Sequence, residues 1–179
     1  MIGPKTMNRN VEIKARATDF AGLVRRAGEL AGSKPQVLLQ EDVFFNTPRG
    51  RLKLRTINNS SSELIYYERD DDTSPKPSNY ILLPVPDPLR MRQLLDSTNG
   101  IRAVVRKRRL LFLVGPTRIH LDEVEGLGNF LELEVVLKPT DSAEDGIKIA
   151  RQIMAQLQLD ESSLLRGAYV DMLTAAPTR

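Results

Sequence analysis

Cysteine and tryptophan are absent from this chain of 179 residues, and aromatic residues make up only 5% of it. The lack of cysteine excludes thiolate zinc and iron–sulfur sites, thioredoxin-like redox pairs and cysteine nucleophiles, and nothing in the composition points to an oxidising compartment. The scarcity of aromatic residues disfavours a nucleic-acid-binding β-barrel, because such proteins stack bases on exposed rings. We therefore expect a cytoplasmic protein that does not bind nucleic acid.

Long apolar runs are also missing from the sequence. No stretch approaches the ~18 consecutive apolar residues that span a bilayer, and residues 1–10 lack the apolar core of a secretion signal. A chain of this length can bury a core of its own in one domain. We expect a single domain over residues 1–179 with flexible ends at 1–8 and 174–179, no membrane contact, and a monomeric or homodimeric state.

Charge is nearly balanced, with 26 lysine and arginine residues against 23 aspartate and glutamate residues, so the positions of the charges are more informative than their sum. Basic residues cluster at 49–55 and 102–109, and acidic residues cluster at 122–134, in each case within strand-like segments. Strips of opposite sign on separate strands suggest a site that binds an anion together with a metal ion.

The segment 10–16, Asn-Val-Glu-Ile-Lys-Ala-Arg, alternates polar and apolar residues at every position. Because successive side chains of a strand point to opposite faces, the polar residues of this segment share one face. Later segments repeat the pattern. The polar faces consist of Asn10, Glu12, Lys14 and Arg16; Arg51, Lys53 and Arg55; Lys107 and Arg109; Arg118, His120 and Asp122; and Glu132 and Glu134.

Periodicity and turn residues predict the order of the elements. Apolar residues at helical spacing follow the candidate capping residues Asp19, Asp87 and Ser142, with helix ends near Gly32 and near 99–100, and a further short helix is predicted within 162–173. The predicted loop at 70–79 is acidic and contains proline. Strands are predicted over 10–16, 37–40, 43–46, 51–57, 63–69, 80–85, 104–114, 118–124 and 130–137.

About eight strands without regular strand–helix alternation indicate an α+β fold built on antiparallel sheet. The charged faces allow two arrangements. They could form the solvated outer face of an ordinary sheet. Alternatively, they could line the lumen of a barrel whose apolar exterior is covered by the helices, and a barrel of ~8 strands has room for one ligand.

A cationic lumen requires an anion, because burying several lysine and arginine side chains without partners costs too much free energy. A triphosphate suits this role, since arginine grips phosphate oxygens in a bidentate manner. Glutamates beside the cations would repel the phosphates unless a divalent cation such as Mg²⁺ or Mn²⁺ lay between them. Glu132 and Glu134, with Glu12, could hold such an ion and support phosphoryl or nucleotidyl transfer.

These segments, taken in order, resemble the CYTH superfamily of triphosphate tunnel metalloenzymes, which includes class IV adenylate cyclases and thiamine or inorganic triphosphatases. Residues 10–14 are similar to the ExExK signature of that family. Residues 120–134 are similar to its late strand pair, with an aspartate, a Gly-Leu-Gly turn and a final glutamate strand. The sequences Leu-Lys-Leu-Arg at 52–55, Arg-Lys-Arg-Arg at 106–109 and Gly-Ala-Tyr-Val-Asp-Met-Leu at 167–173 also match.

The resemblance implies an eight-stranded antiparallel closed β-barrel with a tunnel that binds a small-molecule triphosphate. It also implies a role for each matching residue. Triphosphate binding and catalysis are expected of Lys14, Arg55, Lys107 and Arg109, with Lys53 and Arg118 as supporting cations, and Mg²⁺ or Mn²⁺ is expected to be held by Glu12, Glu132 and either Glu134 or Asp122.

Two positions depart from the family pattern. Asn10 stands where the signature has its first glutamate, so one carboxylate on the metal side is replaced by a neutral oxygen donor. Related strands also place a lysine near 68–69, where this chain has Glu-Arg. Either Arg69 or Lys76 could supply that cation, and both are therefore candidate triphosphate ligands.

The leading hypothesis is a class IV adenylate cyclase-like enzyme that converts ATP to cyclic AMP and pyrophosphate. A hydrolase acting on inorganic or thiamine triphosphate would use the same tunnel, since a fold does not determine the reaction. Asn10 motivates a third hypothesis, a polyphosphate- or nucleotide-binding protein without catalysis.

Several other polar features are expected to be structural. The single histidine, His120, is expected to be a packing or surface residue, and 70–72 (Asp-Asp-Asp) is expected to be a solvated linker. Gly126 and Gly128 are expected to form a turn with positive φ. The remaining expectations are packing roles for Tyr66 and Tyr67 and positions outside the lumen, beside acidic residues, for Arg106 and Arg108.

Overall fold

Eight antiparallel strands close into a barrel in the computed structural model, which describes residues 8–69 and 75–175. The order around the barrel is β1-β5-β4-β3-β2-β6-β7-β8. The strands are β1 Asn8–Arg16, β2 Gln36–Phe45, β3 Arg51–Ile57, β4 Ser61–Arg69, β5 Lys76–Pro84, β6 Ile101–Val114, β7 Thr117–Val124 and β8 Gly128–Leu137. The predicted α+β fold with a closed antiparallel barrel is confirmed.

Four helices within the described residues surround the barrel: α1 Phe20–Ala31, α2 Pro88–Asn99, α3 Ala143–Gln156 and α4 Tyr169–Ala175. The predicted N-caps are present, because the side chains of Asp19, Asp87 and Ser142 each accept a hydrogen bond from a backbone N–H of the following turn. Gly32 ends α1 at φ 61°, a conformation that glycine adopts without strain. None of the described helices is long and apolar enough to cross a membrane.

The main apolar core lies outside the barrel, between its outer surface and helices α1 and α3. Outward-facing residues such as Ile13 and Leu133 are buried there together with Leu23 of α1 and Met154 of α3. Burying one such side chain stabilises the fold by about 1.5–3 kcal/mol. The apolar faces of these strands therefore point outward and their polar faces point into the barrel, so the solvated-sheet alternative is wrong.

The structure changes several predicted boundaries. The two segments predicted at 37–40 and 43–46 form one strand, β2, and β6 begins at Ile101 rather than at 104. β5 begins at Lys76 instead of 80, because residues 76–79 pair with β1 and residues 78–79 also pair with β4. The predicted end of the second helix near 99–100 is confirmed, because α2 runs to Asn99 and Gly100 caps it. The predicted tail helix is a 3₁₀ turn at Glu161–Ser163 followed by α4.

Some predictions fall on residues that the structure does not describe. Residues 1–7 and 176–179 of the predicted flexible ends lie outside the described residues, whereas Asn8 belongs to β1 and residues 174–175 belong to α4. The predicted linker at 70–72 also lies outside the described residues.

Candidate active site

A channel of about 300 Å³ runs inside the barrel and is lined by side chains from all eight strands. Ala168 and Tyr169 line it at one end, which we call the α4 end. The opposite end, where β1 and β2 begin and β3, β5 and β6 finish, is called the distal end.

The channel brings together most of the predicted site residues. Asp122 is fully buried in its wall and touches two of the cations. Arg69 and Lys76 belong to β4 and β5, but their side chains lie outside the described part of the chain. The predicted residues that line the channel are Glu12, Lys14, Lys53, Arg55, Lys107, Arg109, Arg118, Glu132 and Glu134.

Asp122 holds two of the predicted phosphate ligands in place. Arg109 donates to both of its carboxylate oxygens, from Nε and from Nη2, at 2.6 Å each. Lys107 Nζ and the Tyr169 hydroxyl donate to Oδ2, each at 3.0 Å. Burial would raise the pKa of Asp122, but the charges of Arg109 and Lys107 lower it below its ordinary value. Asp122 therefore stays ionised and positions both cations, and its metal-binding role stays a prediction.

Asp42 plays the same part for Lys53 and Arg55, and this role was not predicted from the sequence. Arg55 donates to its two carboxylate oxygens at 2.7 and 2.8 Å, and Lys53 Nζ donates at 2.9 Å. Burial lowers the pKa of Lys53 to about 8, with Arg55 as the next cause, while Asp42 opposes the shift. The alternation of Leu38, Gln40, Asp42 and Phe44 on one face of β2 is the signal that could have revealed it.

Glu132 joins the cations of two strands, β1 and β6. Its Oε1 lies 3.0 Å from Lys14 Nζ, and its Oε2 accepts a hydrogen bond from Arg109 Nη2 at 2.5 Å. Burial would raise the pKa of Glu132, but Lys14, Lys107 and Arg109 together lower it well below its ordinary value. Glu132 is therefore an ionised counter-charge for the cations in this structure.

Glu12 and Glu134 form the carboxylate pair that best fits a divalent cation. They are directly opposite each other on β1 and β8, and both line the channel. Burial and the charge of Glu12 raise the pKa of Glu134 above its ordinary value, although Arg118 Nε lies 3.4 Å from its Oε2. Like charges directly opposite on neighbouring strands repel, and a bound cation removes that repulsion.

The number of carboxylates in this pair also suits Mg²⁺ or Mn²⁺. Among the described residues, no three His, Asp or Glu side chains are arranged to form a metal cage by themselves. Mg²⁺ does not need such a cage, because it is usually held by one or two carboxylates while substrate phosphates and water complete its octahedron. Glu12 and Glu134 therefore fit the protein's share of the ligands for Mg²⁺ or Mn²⁺.

Buried polar atoms without a hydrogen-bond partner among the described residues face the same channel. They include Asn10 Oδ1, Gln40 Oε1, Ser78 Oγ and His120 Nδ1. Burial, followed by the charge of Arg109, lowers the pKa of His120 well below its ordinary value, so its ring is neutral. His120 is thus buried in the channel wall rather than at the surface. Because buried polar atoms are normally paired, this set indicates where a ligand or water would bind.

Tyr169 closes the α4 end, and its role was not predicted. Its ring packs edge-on against Phe130 at 4.9 Å between centroids, and Lys14 Nζ lies 3.6 Å from the ring centre. Burial and the charges of Glu132 and Asp122 raise the pKa of Tyr169 well above its ordinary value, so its hydroxyl remains a donor. The family-like sequence at 167–173 was the only signal of its importance.

The features expected to lie outside the site do so, apart from Tyr67. Arg106 pairs with Glu41 and Arg108 pairs with Glu123 on the outer surface, at 2.8 and 2.7 Å, as predicted. A wider depression of about 530 Å³ lies among these residues, but the pairs neutralise one another there. The predicted turn glycines, Gly126 and Gly128, have φ of 74° and 92°. Of the two tyrosines, Tyr67 lines the channel, whereas the Tyr66 hydroxyl donates to Glu68 at the surface.

Comparison with known proteins gives similarity over nearly the whole chain. The family model for the CYTH domain matches residues 8–169. Adenylate cyclase CyaB of Aeromonas hydrophila is 26% identical over 172 residues, which cover 89% of this chain and 85% of that protein. The structure of the PH1012 protein of Pyrococcus horikoshii OT3 is 30% identical, with a TM-score of 0.80 over 90% of this chain and 98% of that chain.

A more distant structure shares the fold. HpAC1 of Hippeastrum, which is described as having a dominant triphosphatase activity, is 15% identical, with a TM-score of 0.64 over 94% of each chain. At this identity the likeness concerns the barrel alone.

Proposed function

We propose that this chain, which belongs to the CYTH domain family, is a metal-dependent enzyme that acts on a triphosphate, with ATP as substrate and cyclic AMP and pyrophosphate as products. The observation that carries the proposal is the convergence of cations and carboxylates from separate strands in one channel of about 300 Å³. The similarity to a protein named adenylate cyclase over 89% of the chain supports the choice of reaction.

The charge of the channel supports a triphosphate that arrives with a metal ion. Among the described residues that line it, six are lysine or arginine and five are aspartate or glutamate, and Asp122 lies in the wall behind them. The described charges therefore nearly cancel. A bare polyanion would add several uncompensated negative charges to this enclosed space, whereas its complex with divalent cations would add few.

The cations are already oriented before a substrate binds. Arg55 and Arg109 each direct two donors at a buried aspartate, and Lys14 and Lys107 are held between acids and the ring of Tyr169. Orientation in advance lowers the entropy that substrate binding and the transition state would otherwise cost. In our proposal these four residues bind the phosphate chain and neutralise the charge that develops on the leaving pyrophosphate.

Glu12 and Glu134 would hold Mg²⁺ or Mn²⁺, which when bound neutralises phosphate charge and lowers the pKa of the attacking hydroxyl. In the cyclase reaction the ribose 3′-oxygen bonds to the α-phosphorus and its proton passes to solvent. The bond between that phosphorus and the bridging oxygen of the β-phosphate breaks, and pyrophosphate leaves.

Hydrolysis is the second candidate, and the shared fold with HpAC1 is the observation that favours it. Water would attack the γ-phosphorus of inorganic or thiamine triphosphate and release orthophosphate. The same cations would serve, since both reactions place negative charge on phosphate oxygens.

Product analysis separates the candidates. The purified chain would be incubated with ATP, inorganic triphosphate and thiamine triphosphate, each with Mg²⁺, Mn²⁺ or a chelator. Cyclic AMP and pyrophosphate would support the cyclase, and orthophosphate would support the hydrolase. Tight binding without any product would overturn both and favour the non-catalytic hypothesis. The matched control is Arg108→Gln, which removes an arginine outside the channel, against Arg109→Gln within it.

A further inference from the structure

Asn10 and Ser78 form a neutral polar pair beside the charged residues of the channel. They are opposite each other on β1 and β5, and both line the channel. Asn10 is 4% exposed and Ser78 is 1% exposed. Asn10 Oδ1 and Ser78 Oγ nevertheless have no hydrogen-bond partner among residues 8–69 and 75–175. Because burying such atoms unpaired costs free energy, their positions indicate a ligand group that hydrogen-bonds them.

Along β1 the pair lies on the distal side of Glu12 and Lys14, whereas Glu63, at the beginning of β4, lies nearer the distal end and also lines the channel. Along β1 the channel-facing residues are Asn10, Glu12 and Lys14, and Lys14 is the one that reaches Tyr169 at the α4 end. Asn10 therefore lies two strand positions beyond Glu12, away from the α4 end. A neutral amide and a hydroxyl are weak ligands for a polyphosphate compared with the arginines deeper in the channel.

Apolar side chains continue the channel wall at the distal end. Leu38 lies at the beginning of β2, Ile57 at the end of β3, Leu82 near the end of β5 and Leu111 in the last part of β6. Leu82 is 37% exposed although it lines the channel. Phosphate gains nothing from such a rim, whereas an organic ring system loses apolar surface to water when it packs there.

We propose that Asn10 and Ser78, with the apolar rim of Leu38, Ile57, Leu82 and Leu111, form a subsite for the organic part of the substrate. The group that fits has hydroxyl or amino donors beside an apolar ring, as a nucleoside has. This inference deepens the proposed function and rests on it, since it assumes that the phosphates bind at the cations. It assigns Asn10 to recognition of that group, where a glutamate would have served a metal ion.

Binding measured with two ligands tests the subsite. Dissociation constants for ATP and for inorganic triphosphate would be determined by calorimetry with Mg²⁺ present, using analogues of both ligands with methylene groups in place of the bridging oxygens so that turnover does not interfere. Ser78→Ala is expected to weaken ATP binding about tenfold while leaving inorganic triphosphate binding unchanged. Leu82→Gln, a variant at the partly exposed rim, is expected to show the same difference between the ligands.

Thr117→Val is the matched control. Thr117 Oγ1 is also buried and unpaired among the described residues, but it lies on the opposite face of β7 from the channel-facing residues. This variant is expected to change neither dissociation constant. Equal weakening of both ligands by Ser78→Ala, or no weakening of ATP by either variant, would overturn the subsite alone. If the unmodified chain bound neither ligand, the proposed function would fail as well.

Discussion

Asp42 and Arg55 form a bidentate ion pair inside the channel. Arg55 Nε donates to Asp42 Oδ1 at 2.7 Å, and Arg55 Nη2 donates to Asp42 Oδ2 at 2.8 Å. The two residues are directly opposite each other on β2 and β3. This geometry gives Arg55 a fixed direction in the absence of a ligand. The stability of the barrel therefore depends on the Asp42 carboxylate. The phosphates of the candidate substrate would compete with this carboxylate for Arg55.

Asp42→Asn is expected to lower the free energy of unfolding by about 3 kcal/mol, because it leaves Arg55 and Lys53 buried without their counter-charge. Inorganic triphosphate should restore part of the loss, since it supplies negative charge to the folded state only. Urea-induced unfolding with and without triphosphate measures both effects. Glu41→Gln, which disturbs partly exposed pairs outside the channel, should cost less than about 1 kcal/mol. Equal losses of unfolding free energy in the two variants would contradict the role of Asp42 as the buried counter-charge of Arg55 and Lys53.

Asp42 also shows how far the sequence could predict the site. The period-2 pattern predicted which faces are polar, and barrel closure explains why those faces converge, so most of the cations and acids were found in advance. Asp42 escapes this prediction because residues 41–42 are both acidic, a pattern that indicates a break between two short strands. The structure shows one continuous strand in which Glu41 faces outward to Arg106 and Asp42 faces inward.

Tyr169 was missed for a different physical reason. The pairing of strands predicts which strand residues lie close together. The local pattern of a short helix does not predict which end of a barrel the helix packs against. The contact depends on packing of Tyr169 against Phe130, more than thirty residues earlier in the chain. The start of β5 was similarly hidden, because Pro75 and Pro77 favour a loop in any local interpretation.

Glu134→Gln should separate metal binding from phosphate binding. Mg²⁺-dependent turnover is expected to fall about 100-fold or more, since even the loss of an outer partner of a metal ligand commonly costs that much. With a chelator present, the same variant should bind triphosphate more tightly, because a repelling charge beside Glu12 has been removed. Steady-state kinetics and calorimetry measure the two effects.

The control for Glu134→Gln is Glu123→Gln, which alters an exposed pair with Arg108 outside the channel. It should leave unchanged both the Mg²⁺-dependent turnover and the affinity for triphosphate measured with a chelator. Retained turnover in Glu134→Gln, or weaker triphosphate binding with the chelator, would show that Glu134 does not belong to the metal site.

The affinity for triphosphate should fall as the pH rises through about 8. Burial, reinforced by Arg55, lowers the pKa of Lys53 from 10.5 to about 8, so Lys53 is charged below that pH and neutral above it. A polyanion binds the charged form better, and loss of one charge-assisted hydrogen bond should weaken binding about tenfold. Dissociation constants between pH 7 and pH 9.5 measure the change. Lys53→Arg keeps its charge over this range and should flatten the curve. An unchanged slope in that variant would assign the titration to another group.

Tyr169→Phe tests whether the α4 end organises the cations. The substitution removes the 3.0 Å hydrogen bond to Asp122 but keeps the ring beneath Lys14. A hydrogen bond to a charged acceptor contributes about 1.5 kcal/mol, so the free energy of unfolding should fall by about that amount. KM for the triphosphate should rise, because Asp122 positions Lys107 and Arg109. Tyr66→Phe, which loses a hydroxyl contact with Glu68 at the surface, is the matched control and should leave KM unchanged. A Tyr169→Phe variant that lost stability without any change in KM would show that Tyr169 only packs the end of the barrel and does not act on the phosphate ligands.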